Sequence, residues 1–111
     1  MHQVIERYKL GARTRNLPYE LTIEKFVNLS KQPCFYCGAE PSNVRWQKDS
    51  KGTFIYNGLD RINNDLGYIL NNVVPCCIIC NKAKATMTQE VFLLWVKRIY
   101  KYRNLANGAT N

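Results

Sequence analysis

Apolar positions recur along the chain in several distinct patterns. Val4, Ile5, Tyr8 and Ala12 fall at helical spacing through His2 to Arg15, with Arg7, Arg13 and Arg15 elsewhere on the turn, and predict a helix. Pro18 biases Leu17 away from helix, so the pattern breaks at Asn16-Leu17-Pro18-Tyr19. Thr22 then offers an N-cap oxygen and Glu24 suits the first turn. Ile23, Phe26, Val27 and Leu29 carry a second helix to about Ser30, which Gln32-Pro33 ends.

The middle of the chain reads differently. Ala39 to Lys51 has little periodicity and carries Pro41, Ser42, Asn43 and Ser50, so a loop is expected, with Arg45, Trp46, Lys48 and Lys51 interleaved. Thr53-Phe54-Ile55-Tyr56 is β-branched and aromatic and predicts a strand, closed by the turn signal Asn57-Gly58. A second turn, Asn63-Asn64-Asp65-Leu66-Gly67, is flanked by short extended segments at Tyr68 to Leu70 and Asn72 to Val74, which puts Asp60 at the mouth of a hairpin. From about Cys77 a short helix carries Cys80, Asn81 and Lys84 until Thr86-Met87-Thr88 interrupts it. Thr88 caps a last helix in which Val91, Leu94, Trp95, Ile99 and Tyr102 form one apolar stripe, with Lys97, Arg98 and Lys101 off it. Asn107 to Asn111 is expected to fray, and no internal repeat is seen.

Length and charge narrow the class. A chain of 111 residues is one domain and buries a modest share of its surface, so a structural metal would contribute much of its stability. Sixteen Lys and Arg against eight Asp and Glu give a net charge of +8, which points to a polyanionic partner. A solubilising surface or an acidic protein partner would also account for it. From Lys82 onward Lys82, Lys84, Lys97, Arg98, Lys101 and Arg103 face the single acid Glu90. With no bilayer-length apolar run and no signal pattern at Met1 to Arg7, a soluble cytoplasmic protein with no membrane partner is expected.

In a reducing compartment paired cysteines favour metal over disulfides, and five cysteines leave an odd one under any disulfide scheme. Cys34, Cys37, Cys77 and Cys80 form two CxxC knuckles that can enclose tetrahedral zinc with every position filled by protein, which makes the site structural. Gly38 permits the tight turn after the first knuckle. Cys76 lacks the two-residue gap to Cys80 and reads as a buried free thiol. Redox use of the pairs would need a thioredoxin-like pattern, which is missing.

At Leu59-Asp60-Arg61, Gly67-Tyr68, Asn72 and Cys77-Ile78-Ile79-Cys80-Asn81-Lys82-Ala83-Lys84 the chain resembles the HNH nuclease superfamily, the ββα-metal fold, in its four-cysteine zinc-bearing form. Phage-encoded endonucleases and some restriction enzymes belong to that form, and the match covers about Cys34 to Lys84. The resemblance implies an α+β domain over residues 1–111: N-terminal helices in 1–33, zinc knuckles and a ββα-metal hairpin plus helix in 34–85, and a C-terminal helix in 86–106. It implies a metal-dependent DNA endonuclease in which Asp60 and Asn81 bind one Mg- or Mn-like ion, Asn72 steadies the loop, and the four cysteines hold a separate zinc. Arg61 stands where the family's pattern has a His, and the only histidine is His2.

Arginine stays protonated, so Arg61 is expected to grip the scissile phosphate rather than act as a base. Tyr36, held between two zinc ligands, is one candidate to activate water, on the expectation that nearby cations lower its pKa. Water activated on the divalent ion is the other, and Tyr36 also suits simple packing. Lys82, Lys84, Arg45 and Lys48 are the expected DNA contacts. Seen alone, Asp60 and Asn72 are turn residues and Asn81 a surface helical Asn; their order and spacing around the clamp shift the reading. A homodimer is one way for so small a nuclease to cut both strands. A non-catalytic zinc-stabilised nucleic-acid-binding module is the alternative.

Overall fold

The computed structural model describes residues 2–46 and 53–105, with the side chains of all of these but 45, 46 and 53. Among the described residues, four helices and two small sheets make an α+β domain. Helix α1, His2–Thr14, buries Val4, Ile5 and Ala12, the stripe read from the sequence. Helix α2, Ile23–Ser30, starts on the Thr22 side chain, which accepts from the Lys25 N–H at 3.1 Å. Its Phe26 is fully buried, and the Tyr8 ring meets Phe26 and Tyr68 edge-on at 5.4 and 5.3 Å. Leu21, Phe54, Tyr56, Leu59 and Val73 complete this core.

The expected loop over residues 39–51 contains a strand. Strand β1, Asn43–Trp46, pairs antiparallel with β2, Thr53–Tyr56, so that Asn43 faces Tyr56 and Val44 faces Ile55. The ribbon buries one side only: Phe54 and Tyr56 stack at 5.0 Å over the core while Val44 and Ile55 lie exposed. A four-residue strand whose apolar residues, Val44 and Trp46, alternate only once with polar Asn43 and Arg45 is too short for its period to stand out in sequence.

Asn57-Gly58 does not close a hairpin. It passes the chain from the first sheet to the second, and Asn57 is buried because the crossing needs its polar groups. Its N–H donates to the Ser30 carbonyl at 2.7 Å, and its Nδ2 donates to the carbonyls of Gln32 at 2.9 Å and Ala39 at 3.1 Å. Strand β3, Gly58–Arg61, then pairs antiparallel with β4, Val73–Cys76, with Asp60 opposite Val74 and Arg61 opposite Val73. Between them lie the 63–67 turn and a short 3₁₀ turn, Leu70–Asn72. Gly67 sits so close to Pro18 that a Cβ would run into its carbonyl oxygen, and the neighbouring Tyr68 N–H donates to that oxygen at 2.9 Å. Helix α3, Ile78–Lys84, follows β4 directly and completes a ββα unit.

Helix α4, Gln89–Tyr102, begins on the Thr88 side chain as its sequence predicts. Its stripe does not face the core. Phe92 is the one buried residue, whereas Val91 is 52% exposed, Leu94 58%, Trp95 38%, Ile99 40% and Tyr102 84%. The helix touches the domain through its first turns, where Phe92 meets the Tyr36 ring edge-on at 5.2 Å. Among the described residues no helix is long and apolar enough to cross a membrane.

Candidate active site and zinc clamp

The four knuckle sulfurs all lie within 4.8 Å of one another, with Cys37 and Cys77 at 3.7 Å. A tetrahedron with Zn–S bonds of about 2.3 Å has S–S edges of about 3.8 Å, so the donor set and spacing fit zinc. Local structure builds each half. Gly38 takes φ 79°, its N–H donates to the Cys34 carbonyl at 2.9 Å, and Cys77 is the N-cap of α3, its sulfur accepting from the Cys80 N–H at 3.4 Å. Burial would raise the Cys34 thiol, but backbone N–H groups of Cys77, Cys37 and Tyr36 outweigh it and bring its pKa down to about 6. Such a thiol is primed to be a metal-ready thiolate. Cys76 is fully buried, its thiol pushed up by that burial, and its sulfur donates to the Cys77 carbonyl at 3.4 Å.

The clamp carries Tyr36 toward β3. The Tyr36 hydroxyl donates to Asp60 Oδ2 at 2.7 Å, and the Lys84 ammonium reaches the same carboxylate at 3.1 Å from Oδ2 and 3.3 Å from Oδ1. Two expectations change here. Lys84, expected at the DNA backbone, is 0% exposed, because the last turn of α3 packs over β3 and the 7% exposed Asp60 carboxylate needs a counter-charge. Tyr36 was expected to have a lowered pKa; burial and its bond to Asp60 push the phenol up instead. A phenol in that state is a donor that fixes Asp60, not a poised base.

Arg61 and Asn72 organise the adjoining turn. Arg61 Nη1 donates to the carbonyls of Asn64 at 2.7 Å and Leu66 at 3.3 Å, and its guanidinium lies 5.6 Å from the Tyr68 ring centre. Asn72, buried at the other side, accepts from the Asn63 N–H at 2.9 Å and donates to the carbonyls of Asn63 and Gly67 at 3.1 and 2.9 Å. Three bonds from one amide close the loop that carries the carbonyl acceptors for Arg61.

Asp60, Arg61 and the exposed Asn81 line one cleft of about 560 Å³. A second cleft, of about 320 Å³, shares Tyr8, Arg15, Tyr68 and Asn81 with the first and extends to Arg7 and Asn43. The two form a groove across α1 and α3. Sequence reasoning missed Arg7 and Arg15. The signal was there: Arg7, Gly11 and Arg15 repeat every four residues on one helix face, and Gly11 leaves room for the Arg15 side chain, whose Nη1 would lie 2.8 Å from a Cβ at that position. Lys82 is exposed on α3, the backbone of Arg45 lies in β1, and Lys48 falls outside the described residues.

No protein-family model matches the chain. An uncharacterised protein of Acanthamoeba polyphaga mimivirus is 36% identical over 96 residues, which are 86% of this chain and 16% of that protein's length. Among solved structures the chain is similar to the rare-cutting HNH restriction endonuclease PacI, with a TM-score of 0.61 and 18% identity over 95% of this chain and 80% of the other. The chain therefore has an HNH-type fold with a four-cysteine cluster.

Zinc removal should unfold the domain, since the knuckles' own cluster holds little besides Cys34, Cys76 and Cys77 with Tyr36 and Cys80 at its edge. Incubation with a strong chelator is expected to abolish the cooperative thermal transition, and zinc readdition to restore it; an unchanged transition would exclude a structural metal. Asp60→Ala leaves the Lys84 ammonium buried and unpaired, at a cost of about 3–5 kcal/mol in urea denaturation. The double variant Asp60→Asn with Lys84→Met should recover most of that loss.

Proposed function

We propose that this chain is a metal-dependent endonuclease that hydrolyses DNA phosphodiester bonds, with Asp60 and Asn81 at its centre. The observation that carries the reading is their shared cleft beside Arg61, behind a four-thiol clamp, on the fold of an HNH endonuclease. Asp60 and Asn81 offer hard oxygen donors, a set that suits an Mg- or Mn-like ion. Such an ion, when bound, supplies charge neutralisation at the phosphate and the leaving oxygen.

The chain's own groups do the rest. Tyr36 and Lys84 hold the Asp60 carboxylate in one orientation. Arg61, anchored on the carbonyls of Asn64 and Leu66, grips the scissile phosphate and favours the extra negative charge of the transition state. Asn72 keeps that loop closed. Arg15 and Arg7 extend the positive wall along α1, and Lys82 adds to it from α3, so that a phosphate backbone is held along the groove. Arg45 and Lys48 are proposed as further DNA contacts on their charge alone. Four thiols kept for zinc suit a reducing compartment, so we place the protein in the cytoplasm.

Two copies joined on α4 would supply one site for each DNA strand. Exposed apolar faces of the kind made by Leu94, Trp95 and Ile99 mark association surfaces. Sedimentation equilibrium should then give a dimer that Leu94→Glu dissociates; a monomeric wild type would remove the dimer from the proposal.

Purified protein should convert supercoiled plasmid to nicked or linear forms with Mg²⁺ or Mn²⁺, and EDTA should stop it. Arg61→Ala should reduce cleavage far more than binding, whereas Arg15→Ala should weaken binding to any duplex and lower its salt dependence by about one counterion. Salt-sensitive binding with no strand breaks under any divalent ion would leave a zinc-stapled DNA-binding module in place of the enzyme.

A further inference from the structure

We infer that Lys84 makes the catalytic ion depend on DNA: its ammonium cancels the Asp60 charge in the free protein, and a divalent ion is held firmly only once a phosphodiester lies in the groove. The inference rests on the nuclease reading above and concerns how that same site fills.

Charge and available lone pairs at Asp60 set what the site can hold. Asp60 is 7% exposed, and its two oxygens already take the Tyr36 hydroxyl and a two-point contact from Lys84. Two carboxylate oxygens offer about four acceptor directions, so Asp60, which lines the cleft, keeps one beyond the contacts to Tyr36 and Lys84. What it has lost is its net charge. Lys84 is 0% exposed and has no solvent route by which to relax its grip. Around the same cleft, Asp60 and Asp65 face Arg15, Arg61 and Lys84, so the wall is positive before anything enters it. Asn81, the other oxygen donor, is neutral.

A small divalent ion gives up water reluctantly and is ordinarily held by carboxylates together with substrate phosphates. Here Lys84 neutralises the Asp60 carboxylate and the cleft's other acid, Asp65, is outnumbered by Arg15 and Arg61, so the missing negative charge must come from the substrate. A phosphodiester gripped by Arg61 and Arg15 brings it. The coupling is reciprocal, because whatever DNA adds to ion affinity the ion adds to DNA affinity. Lys84 is thus a positioning residue with a second effect: it orients Asp60 and keeps the empty site from binding ions unproductively.

Mn²⁺ binding to the zinc-loaded full chain, followed by the loss of the free-ion EPR signal, tests this. The measurement is made on the protein alone and with duplex DNA at low temperature, with binding to DNA itself subtracted. Wild type alone should bind Mn²⁺ weakly, and DNA should tighten it by roughly tenfold or more, within the range of coupled sites. Lys84→Met alone should bind Mn²⁺ roughly tenfold more tightly than wild type, with most of the DNA dependence gone. Lys84→Arg, which keeps the charge, should behave as wild type. If wild type alone holds Mn²⁺ as tightly as its DNA complex, or Lys84→Met matches wild type, the inference is overturned while plasmid cleavage leaves the nuclease reading standing. If no DNA complex holds Mn²⁺ and no cleavage occurs, both fall. Should Lys84→Met lose its zinc, the wild-type comparison with and without DNA decides alone.

Discussion

Four sulfurs brought within reach of one ion set the geometry of nearly everything else in this domain. The first knuckle has little reason of its own to lie against the ββα unit: its companion cluster is Cys34, Cys76 and Cys77 with Tyr36 and Cys80 at the edge. One further tie is the Phe35 N–H, which donates to the Pro75 carbonyl of β4 at 2.8 Å. With the thiolates joined through a metal, the segment between Cys34 and Cys37 becomes a rigid bracket and Tyr36 is aimed at Asp60. The other half of the clamp is α3 itself, whose seven residues carry Cys80, Asn81 and Lys84 in order. One coordination sphere thereby fixes the groups on both sides of the carboxylate.

What the sequence made legible is what depends on neighbours a few residues apart. Caps at Thr22 and Thr88, the stripe of α1 and the knuckle spacing are all local signals, and the structure contains each element they announce. The misreadings share a cause, which is a partner distant along the chain. Lys84 looks like a surface lysine until Asp60, twenty-four positions earlier, is known to be buried beneath it. Tyr36 looks set for a low pKa until that same carboxylate, rather than a cation, is found on its hydroxyl. Asn57-Gly58 has the composition of a hairpin turn, yet the carbonyls of Ser30, Gln32 and Ala39 recruit its amide groups for a crossing between sheets. For α4, periodicity reports an apolar side but is silent about what lies against it.

The core on the other side of the hairpin has its own division of labour. Tyr8 packs its ring between Phe26 and Tyr68, while its oxygen accepts from the Leu59 N–H at 2.9 Å, one residue before Asp60. Burial pushes that phenol up, so it stays a neutral group in the floor of the groove. The helix that supplies Tyr8 inward supplies Arg7 to the groove wall, and the turn that ends it supplies Arg15. Packing of α1 and the charge of the cleft wall are therefore set by the same stretch of chain.

The attachment of α4 has a mechanical meaning. Its anchor, Phe92, presses on the ring of Tyr36, and Gln89 Nε2 lies 3.5 Å from the Tyr36 oxygen. That oxygen in turn holds Asp60. The outer turns of the helix carry bulky exposed side chains, so the helix is a lever whose fulcrum rests on the Tyr36 ring. A displacement of α4 would therefore reach the Asp60 carboxylate by a short relay, through Phe92 and Gln89 to Tyr36 and from Tyr36 to Asp60.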